Sequence, residues 1–131
     1  MSTAWEQLEG AALSLARSGA IKDRLAEAYR NHLALVDAEE LPAHLRAELH
    51  ACHEALTREP PLRGEDAVRA TVRKMSSHEA DVLACSVVRL YAALVREAAR
   101  ADNPAADERL AMGSALPARP LLKAVPQVIS R

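Results

Sequence analysis

Residues 76–101 read SSHEADVLACSVVRLYAALVREAARA, and this stretch predicts the long helix on which the fold depends. Ser76 and Glu79 form a capping box, in which the two side chains satisfy backbone N–H groups of the first turn. The apolar residues that follow are Leu83, Val87, Val88, Leu90, Tyr91, Leu94, Val95 and Ala98. At about 100° per residue they span roughly 160° of arc, whereas a surface helix needs only about 100°. We therefore expect a central helix that is contacted on two sides.

Upstream of this stretch, apolar residues at helical spacing predict four shorter helices. The first begins at a second capping box, formed by Thr3 and Glu6, and the next runs from Ala20 to Val36. The third begins at Pro42, because proline is tolerated in the first turn of a helix. A short fourth helix covers Ala67 to Met75. The links are short, which favours antiparallel neighbours.

The composition supports an all-α fold. Alanine, the strongest helix former, occurs 28 times, whereas the chain has only three aromatic residues. We predict a compact bundle of about five helices over residues 1–101. Residues 102–131 contain four prolines among many apolar side chains, which predicts an irregular tail that packs on the bundle or on a partner.

The charge balance and the absence of targeting signals limit the class of protein. Seventeen Lys and Arg stand against eighteen Asp and Glu, a net charge of −1, which argues against a chain built around polyanion binding. The first residues lack the pattern of a signal peptide, and no stretch is long enough to span a membrane. Cys52 and Cys85 have no partner motif and are interpreted as free thiols. We expect a cytoplasmic location.

One cluster contains side chains that commonly bind metals, namely His50, Cys52 and His53. Residues three apart share a helix face, so the two histidines are placed to bind one ion. Zinc requires three or four ligands, and no third ligand is identifiable because Cys52 belongs to the apolar stripe of its helix. We interpret the cluster as a core cysteine flanked by surface histidines, and we predict no metal and no cofactor.

His32 falls within the apolar stripe of the second helix, which predicts a buried polar side chain. No local motif places a nucleophilic Ser or Cys beside it, and nothing resembles a nucleophile elbow. A core or interface histidine that finds a hydrogen-bond partner is therefore the favoured interpretation. We identify no catalytic residue and do not expect an enzyme.

The fourth helix and the loop before it carry a charged surface, for which two interpretations stand. A nucleic-acid-binding face requires more free cations, and the helix is apolar over much of its circumference. A solvated face, with its cations paired to Glu65 and Asp66, is favoured. We expect a binding surface here, called the charged surface, and its six residues are Arg63, Glu65, Asp66, Arg69, Arg73 and Lys74.

The runs IKDRLAEAYRNHL (residues 21–33) and LTREPPLRGEDAVRATVRKMS (residues 56–76) resemble a family of small uncharacterised helical proteins of proteobacteria. The similarity covers the chain up to about residue 101. It implies a proteobacterial, cytosolic origin, and it points to the loop EPPLRGED (residues 59–66) and the following helix as a functional surface. It implies no activity, ligand or partner, so no residue role is carried over.

Three hypotheses about function follow from the sequence. The leading hypothesis is a non-enzymatic protein-interaction or regulatory module that forms a dimer through its excess of apolar surface. The alternative is a nucleic-acid-associated regulator that uses the basic helix face. A metal-binding protein or enzyme, built on the histidines and Cys52, ranks third.

Overall fold

The computed structural model describes residues 3–102, which contain five α-helices and no strand. The helices are α1 (Ala4–Leu15), α2 (Ile21–Asn31), α3 (Ala43–Leu56), α4 (Ala67–Lys74) and α5 (Ser77–Asp102). Two 3₁₀ turns, Leu33–Leu35 and Ala38–Glu40, connect α2 to α3. The predicted all-α bundle of five helices is confirmed. In this part of the chain no helix has the length and apolar character that crossing a membrane requires.

Three of the five helices in residues 3–102 begin at a side-chain cap, whereas α2 and α3 begin at Ala20 and Pro42 without one. At α1 the Thr3 hydroxyl accepts from the N–H of Glu6, and the Glu6 carboxylate accepts from the N–H of Thr3 at 2.9 Å, which confirms the predicted capping box. At α5 the Ser76 hydroxyl accepts from the N–H of Glu79 at 3.0 Å. At α4 the cap is Asp66, which the sequence reading placed in the preceding loop. Each such cap stabilises its helix by about 1 kcal/mol.

The second helix is shorter than predicted, because it ends at Asn31 and not at Val36. His32 leaves the helical region, with φ −135° and ψ −61°, and a 3₁₀ turn follows. The turn buries Leu33 in the core and leaves Leu35 61% exposed. The prediction failed because apolar spacing continues through residues 33–36 although the backbone has changed direction.

The core joins one apolar face from each helix, rich in leucine except in α4, which contributes valine and alanine. Fully buried side chains include Leu8 of α1, Leu25 of α2, Leu45 of α3, Val72 of α4 and Leu90 of α5. Each buried side chain of this size stabilises the fold by about 1.5–3 kcal/mol. Three alanines of α1 and α2 are also completely buried, which allows these two helices to pack closely: Ala11, Ala26 and Ala28.

The last helix lies at the surface, contrary to the expectation of a central helix. Its buried face consists of five residues, Ala80, Ala84, Val87, Leu90 and Leu94. Val88, which the sequence reading assigned to the apolar arc, is 43% exposed, and Val82 is 50% exposed. The apolar arc is therefore wider than the face that the bundle covers, and part of it is left in contact with solvent.

The chain divides into two compact units, Met1–Arg96 and Glu97–Arg131. This boundary falls inside α5. In the second unit the structure describes only residues 97–102, in which Arg100 forms an ion pair with Glu97. The predicted tail, residues 102–131, lies beyond the described residues except for Asp102, so its packing on the bundle or on a partner stays a prediction.

Candidate functional site

Three of the four cations of the predicted charged surface, Arg69, Arg73 and Lys74, are paired with carboxylates. The Arg73 guanidinium donates to the Glu65 carboxylate at 2.9 Å, as the favoured interpretation anticipated. Lys74 Nζ lies 3.3 Å from a carboxylate oxygen of Glu59, and Arg69 donates across to α2, to Asp23 at 2.9 Å. The hydrogen bond from Arg73 lowers the pKa of the Glu65 carboxyl from its ordinary value.

Asp66 is the centre of this charged surface. It accepts two hydrogen bonds from the guanidinium of Arg30, from Nε at 2.7 Å and from Nη2 at 3.1 Å. It also accepts from the N–H of Arg69 at 3.0 Å, which caps α4. The bond from Arg30 is the main reason that the pKa of Asp66 falls to about 2. One carboxylate therefore both starts α4 and connects it to α2.

These ion pairs leave few cations available on the charged surface. Of its six residues, Arg63 lies exposed in the loop, while Arg69, Arg73 and Lys74 each face an acidic partner. Nucleic-acid binding depends on cations that exchange condensed counterions for phosphate contacts. A nucleic-acid partner would have to displace existing ion pairs, which weighs against the alternative hypothesis.

His32 is half-buried, where the sequence predicted a buried polar side chain. Its ring lies over Gly10 of α1, and its Nδ1 is 3.4 Å from the side-chain oxygen of Gln7. No serine or cysteine is brought to it as a hydrogen-bond partner in residues 3–102. The position is that of a packing residue which turns the chain at the end of α2.

The three metal candidates of α3 lie beside a cavity of about 220 Å³, which we call the α3 cavity. Cys52 is buried at its wall, while His50 and His53 are exposed near its opening. Within residues 3–102 no group of three or more His, Cys, Asp or Glu side chains is arranged to hold a metal ion. Burial raises the pKa of the Cys52 thiol, which disfavours the thiolate that metals and electrophiles require.

A hydrogen bond joins one of these histidines to α2. The Tyr29 hydroxyl lies 2.6 Å from Nδ1 of His53, and the two rings are 5.4 Å apart at their centroids. Burial also raises the pKa of Tyr29 above its ordinary value, so the hydroxyl stays neutral and well able to form this bond. No signal in the sequence connects these residues, because they lie on different helices.

The exposed face of α5 is a second feature that sequence reasoning did not single out. We call it the α5 stripe, and its members are His78, Asp81, Val82, Cys85, Val88 and Arg89. A wide groove of about 600 Å³ runs along one side of it, where Leu15 and Ile21 lie opposite Ala84 and Val88. A smaller hollow of about 310 Å³ lies between His78 and Arg89. The stripe combines apolar side chains with one acidic and one basic residue.

The sequence contains a signal for the α5 stripe in the spacing of its residues about Cys85. Asp81 and Arg89 stand four residues before and after Cys85, and Val82 and Val88 stand three residues before and after it. Residues three and four apart share a helix face. Apolar spacing alone hides this pattern, because Val88 falls within the arc of α5 that is predicted to be buried.

Comparison with known proteins identifies no relative. No family model, no curated protein and no solved structure matches the chain. Function is therefore argued from the charged surface, the α3 cavity and the α5 stripe.

Proposed function

We propose that this chain is a non-enzymatic protein-interaction module that self-associates, with the α5 stripe of one copy packed antiparallel on the α5 stripe of a second. The observation that carries the proposal is the symmetry of the stripe about Cys85. A two-fold interface uses the same patch on both subunits, so the patch must be complementary to itself. The α5 stripe meets this requirement in both its charges and its apolar residues.

Helix geometry shows why the symmetry matters. With a rise of 1.5 Å per residue, positions four residues from Cys85 lie about 6 Å from it along the axis. A two-fold axis at Cys85 therefore brings Asp81 to the level of Arg89 of the second copy, and Arg89 to the level of the second Asp81. Val82 and Val88 come to the same level in the same way. The two α5 helices of the dimer therefore form two ion pairs between Asp81 and Arg89 and two apolar contacts between Val82 and Val88.

The charges of the stripe support a partner outside the subunit. Neither Asp81 nor Arg89 forms an ion pair within residues 3–102, unlike Arg69, Arg73 and Lys74 of the charged surface. Eight residues separate them, about 12 Å along the axis, so they do not meet within one helix. Charge pairs across an interface mainly determine specificity and orientation. The affinity would come from the removal of Val82, Val88 and the apolar groove from water.

The two thiols agree with the cytoplasmic location that forms part of this proposal. Cys52 is buried and Cys85 is exposed, and neither is in a disulfide. An exposed thiol persists most readily where the compartment is reducing.

Size-exclusion chromatography with light scattering tests the proposal on the full chain. We expect a mass of twice 14.2 kDa at tens of micromolar, for a dimer whose Kd is on the order of 1–10 µM. Arg89→Asp places like charges opposite each other twice, which should weaken the dimer at least about tenfold. Arg63→Asp, an equal charge change in the exposed loop before α4, is the matched control and should leave the mass unchanged. A monomeric wild-type protein, or an Arg89→Asp variant as dimeric as the control, would overturn the proposal.

A further inference from the structure

We propose that the cavity between α3 and the irregular segment after α2 binds a small monocarboxylic acid with an apolar body. This inference goes beyond the self-association proposed above and is independent of it. It follows from the division of the cavity into an apolar floor and a basic rim.

The floor of the cavity is apolar and close to the core. Leu33, from the 3₁₀ turn after α2, and Leu49, from α3, are both buried there. Val36 is half-buried beside them. Small-molecule sites are predominantly lined by such side chains, with a few polar groups that fix orientation.

The rim carries Arg46, whose guanidinium is already fixed in place. Its Nε donates to the carbonyl oxygens of Ala38 at 3.1 Å and Leu41 at 3.0 Å. The two terminal amino groups of Arg46 have no acceptor within residues 3–102. A guanidinium held in this way has lost part of its conformational freedom before binding, and its parallel N–H groups match a carboxylate.

The rest of the rim favours an anion over a cation. His50 and His53 line the opening, and His53 is oriented by its bond to the Tyr29 hydroxyl. Imidazole N–H groups donate to a carboxylate in either charge state. No Asp or Glu of the described residues lines the cavity, and the two carboxylates that act on its lining residues, Glu48 on Cys52 and Asp66 on Tyr29, lie outside it.

The size of the cavity limits the ligand to about one ring or a short chain. An apolar cavity of about 150 Å³ is sufficient for benzene in another protein. The cavity of about 220 Å³ therefore accommodates one ring together with a carboxylate. Phenylacetate has this composition and is a suitable probe, and phenylacetamide is its neutral counterpart.

Titration of the full chain with phenylacetate, followed by two-dimensional NMR, tests the proposal. We expect saturable shifts at Leu49, His50 and His53, with a Kd on the order of 0.1–1 mM. Phenylacetamide should bind at least about tenfold more weakly, because it lacks the charge that Arg46 recognises.

Variants separate the rim from the general charge of the protein. Arg46→Gln should weaken phenylacetate binding about tenfold, whereas Arg17→Gln, at an exposed site away from the cavity, should have no effect. Because Arg46 also supports the backbone at Ala38 and Leu41, His50→Gln provides a second rim variant at an exposed position, and it should weaken binding as well. No saturable binding, equal affinity for phenylacetamide, or shifts that map outside the cavity would each overturn the proposal.

Discussion

At the scale of single residues, Asp66 shows how one side chain supports two elements. It caps α4 through the N–H of Arg69 and binds the Arg30 guanidinium of α2 with both carboxylate oxygens. The cap follows from a general preference for Asp at helix starts. The pairing with Arg30, 36 residues earlier, depends on the tertiary fold, and no local pattern in the sequence contains it.

The low pKa of Asp66 makes the free energy of unfolding depend on pH. Because its pKa is about 2 in the folded protein, against 3.8 for an ordinary aspartate, the unfolded chain binds more protons in this range. The stabilisation is complete above about pH 5 and is lost as the pH falls towards 2. The side chains of Arg30 and Asp66 are 42% and 46% exposed, so solvent screening reduces the contribution to about 1 kcal/mol.

Asp66→Asn tests this directly, since asparagine retains the cap and removes the charge. Urea unfolding should show the variant to be less stable than the wild type by about 1 kcal/mol at pH 7. The difference should shrink at pH 3, where much of the wild-type contribution is lost. An equal difference at both pH values would show that the charge of Asp66 is not the cause.

Gly10 provides a second prediction at this scale, because it makes room for His32. A Cβ at position 10 would lie 2.5 Å from Cε1 of the His32 ring, well inside van der Waals contact. Gly10→Ala should therefore lose the gain of about 1 kcal/mol that alanine normally brings to a helix interior. In a His32→Ala background the same change should be stabilising. A double-mutant cycle by thermal unfolding measures this coupling, and independent effects of the two changes would contradict the packing described here.

At the scale of elements, helix starts were easier to predict than helix ends. Thr3 and Ser76 are followed by a glutamate at the third position, and both hydroxyls cap their helices. The reciprocal half of the capping box forms at Thr3 but not at Ser76, because the Glu79 carboxylate accepts from Arg58 instead. The end of α2 was missed, because His32 interrupts a run of apolar spacing without a Gly or Pro to mark the change. The irregular segment that results provides one wall of the α3 cavity, so the candidate ligand site was not predictable either.

The α5 stripe gives an element-level prediction about its two-fold axis. If two α5 helices cross at Cys85, the two Cys85 thiols lie close together, while Cys52 is buried within each subunit. A short bis-maleimide should then cross-link the wild-type protein and the Cys52→Ser variant into dimers. Cys85→Ser should remain uncrosslinked on a denaturing gel. Dimers by mass that do not cross-link through Cys85 would place the interface elsewhere.

At the scale of the whole molecule, composition and periodicity were sufficient for the all-α fold and the number of helices. They did not determine which apolar residues the bundle covers. The arc of α5 from Leu83 to Ala98 reads as a single apolar face, yet Val88 is exposed while Val87 next to it is fully buried. Burial depends on where the neighbouring helices end, which is decided by packing and not by the sequence of α5 alone.

The ion pairs also depend on how the helices pack, and only those between residues close in the chain can be predicted from the sequence. Arg73 pairs with Glu65 nearby in the chain, and this pairing was anticipated. Arg69 pairs with Asp23 of α2, 46 residues away, which was not. That Asp81 and Arg89 form no ion pair within residues 3–102, unlike Arg69, Arg73 and Lys74, could be established only from the fold.

The central claim is that two copies associate through the α5 stripe, and a charge exchange tests it most directly. Sedimentation equilibrium should show weaker dimers for Asp81→Arg and for Arg89→Asp, because each variant brings like charges together across the interface. The double variant Asp81→Arg/Arg89→Asp restores opposite charges and should recover an affinity within about threefold of the wild type. Circular dichroism at each step verifies that α5 remains helical. A double variant as weakly associated as the single ones, or single variants that dimerise as well as the wild type, would contradict the claim.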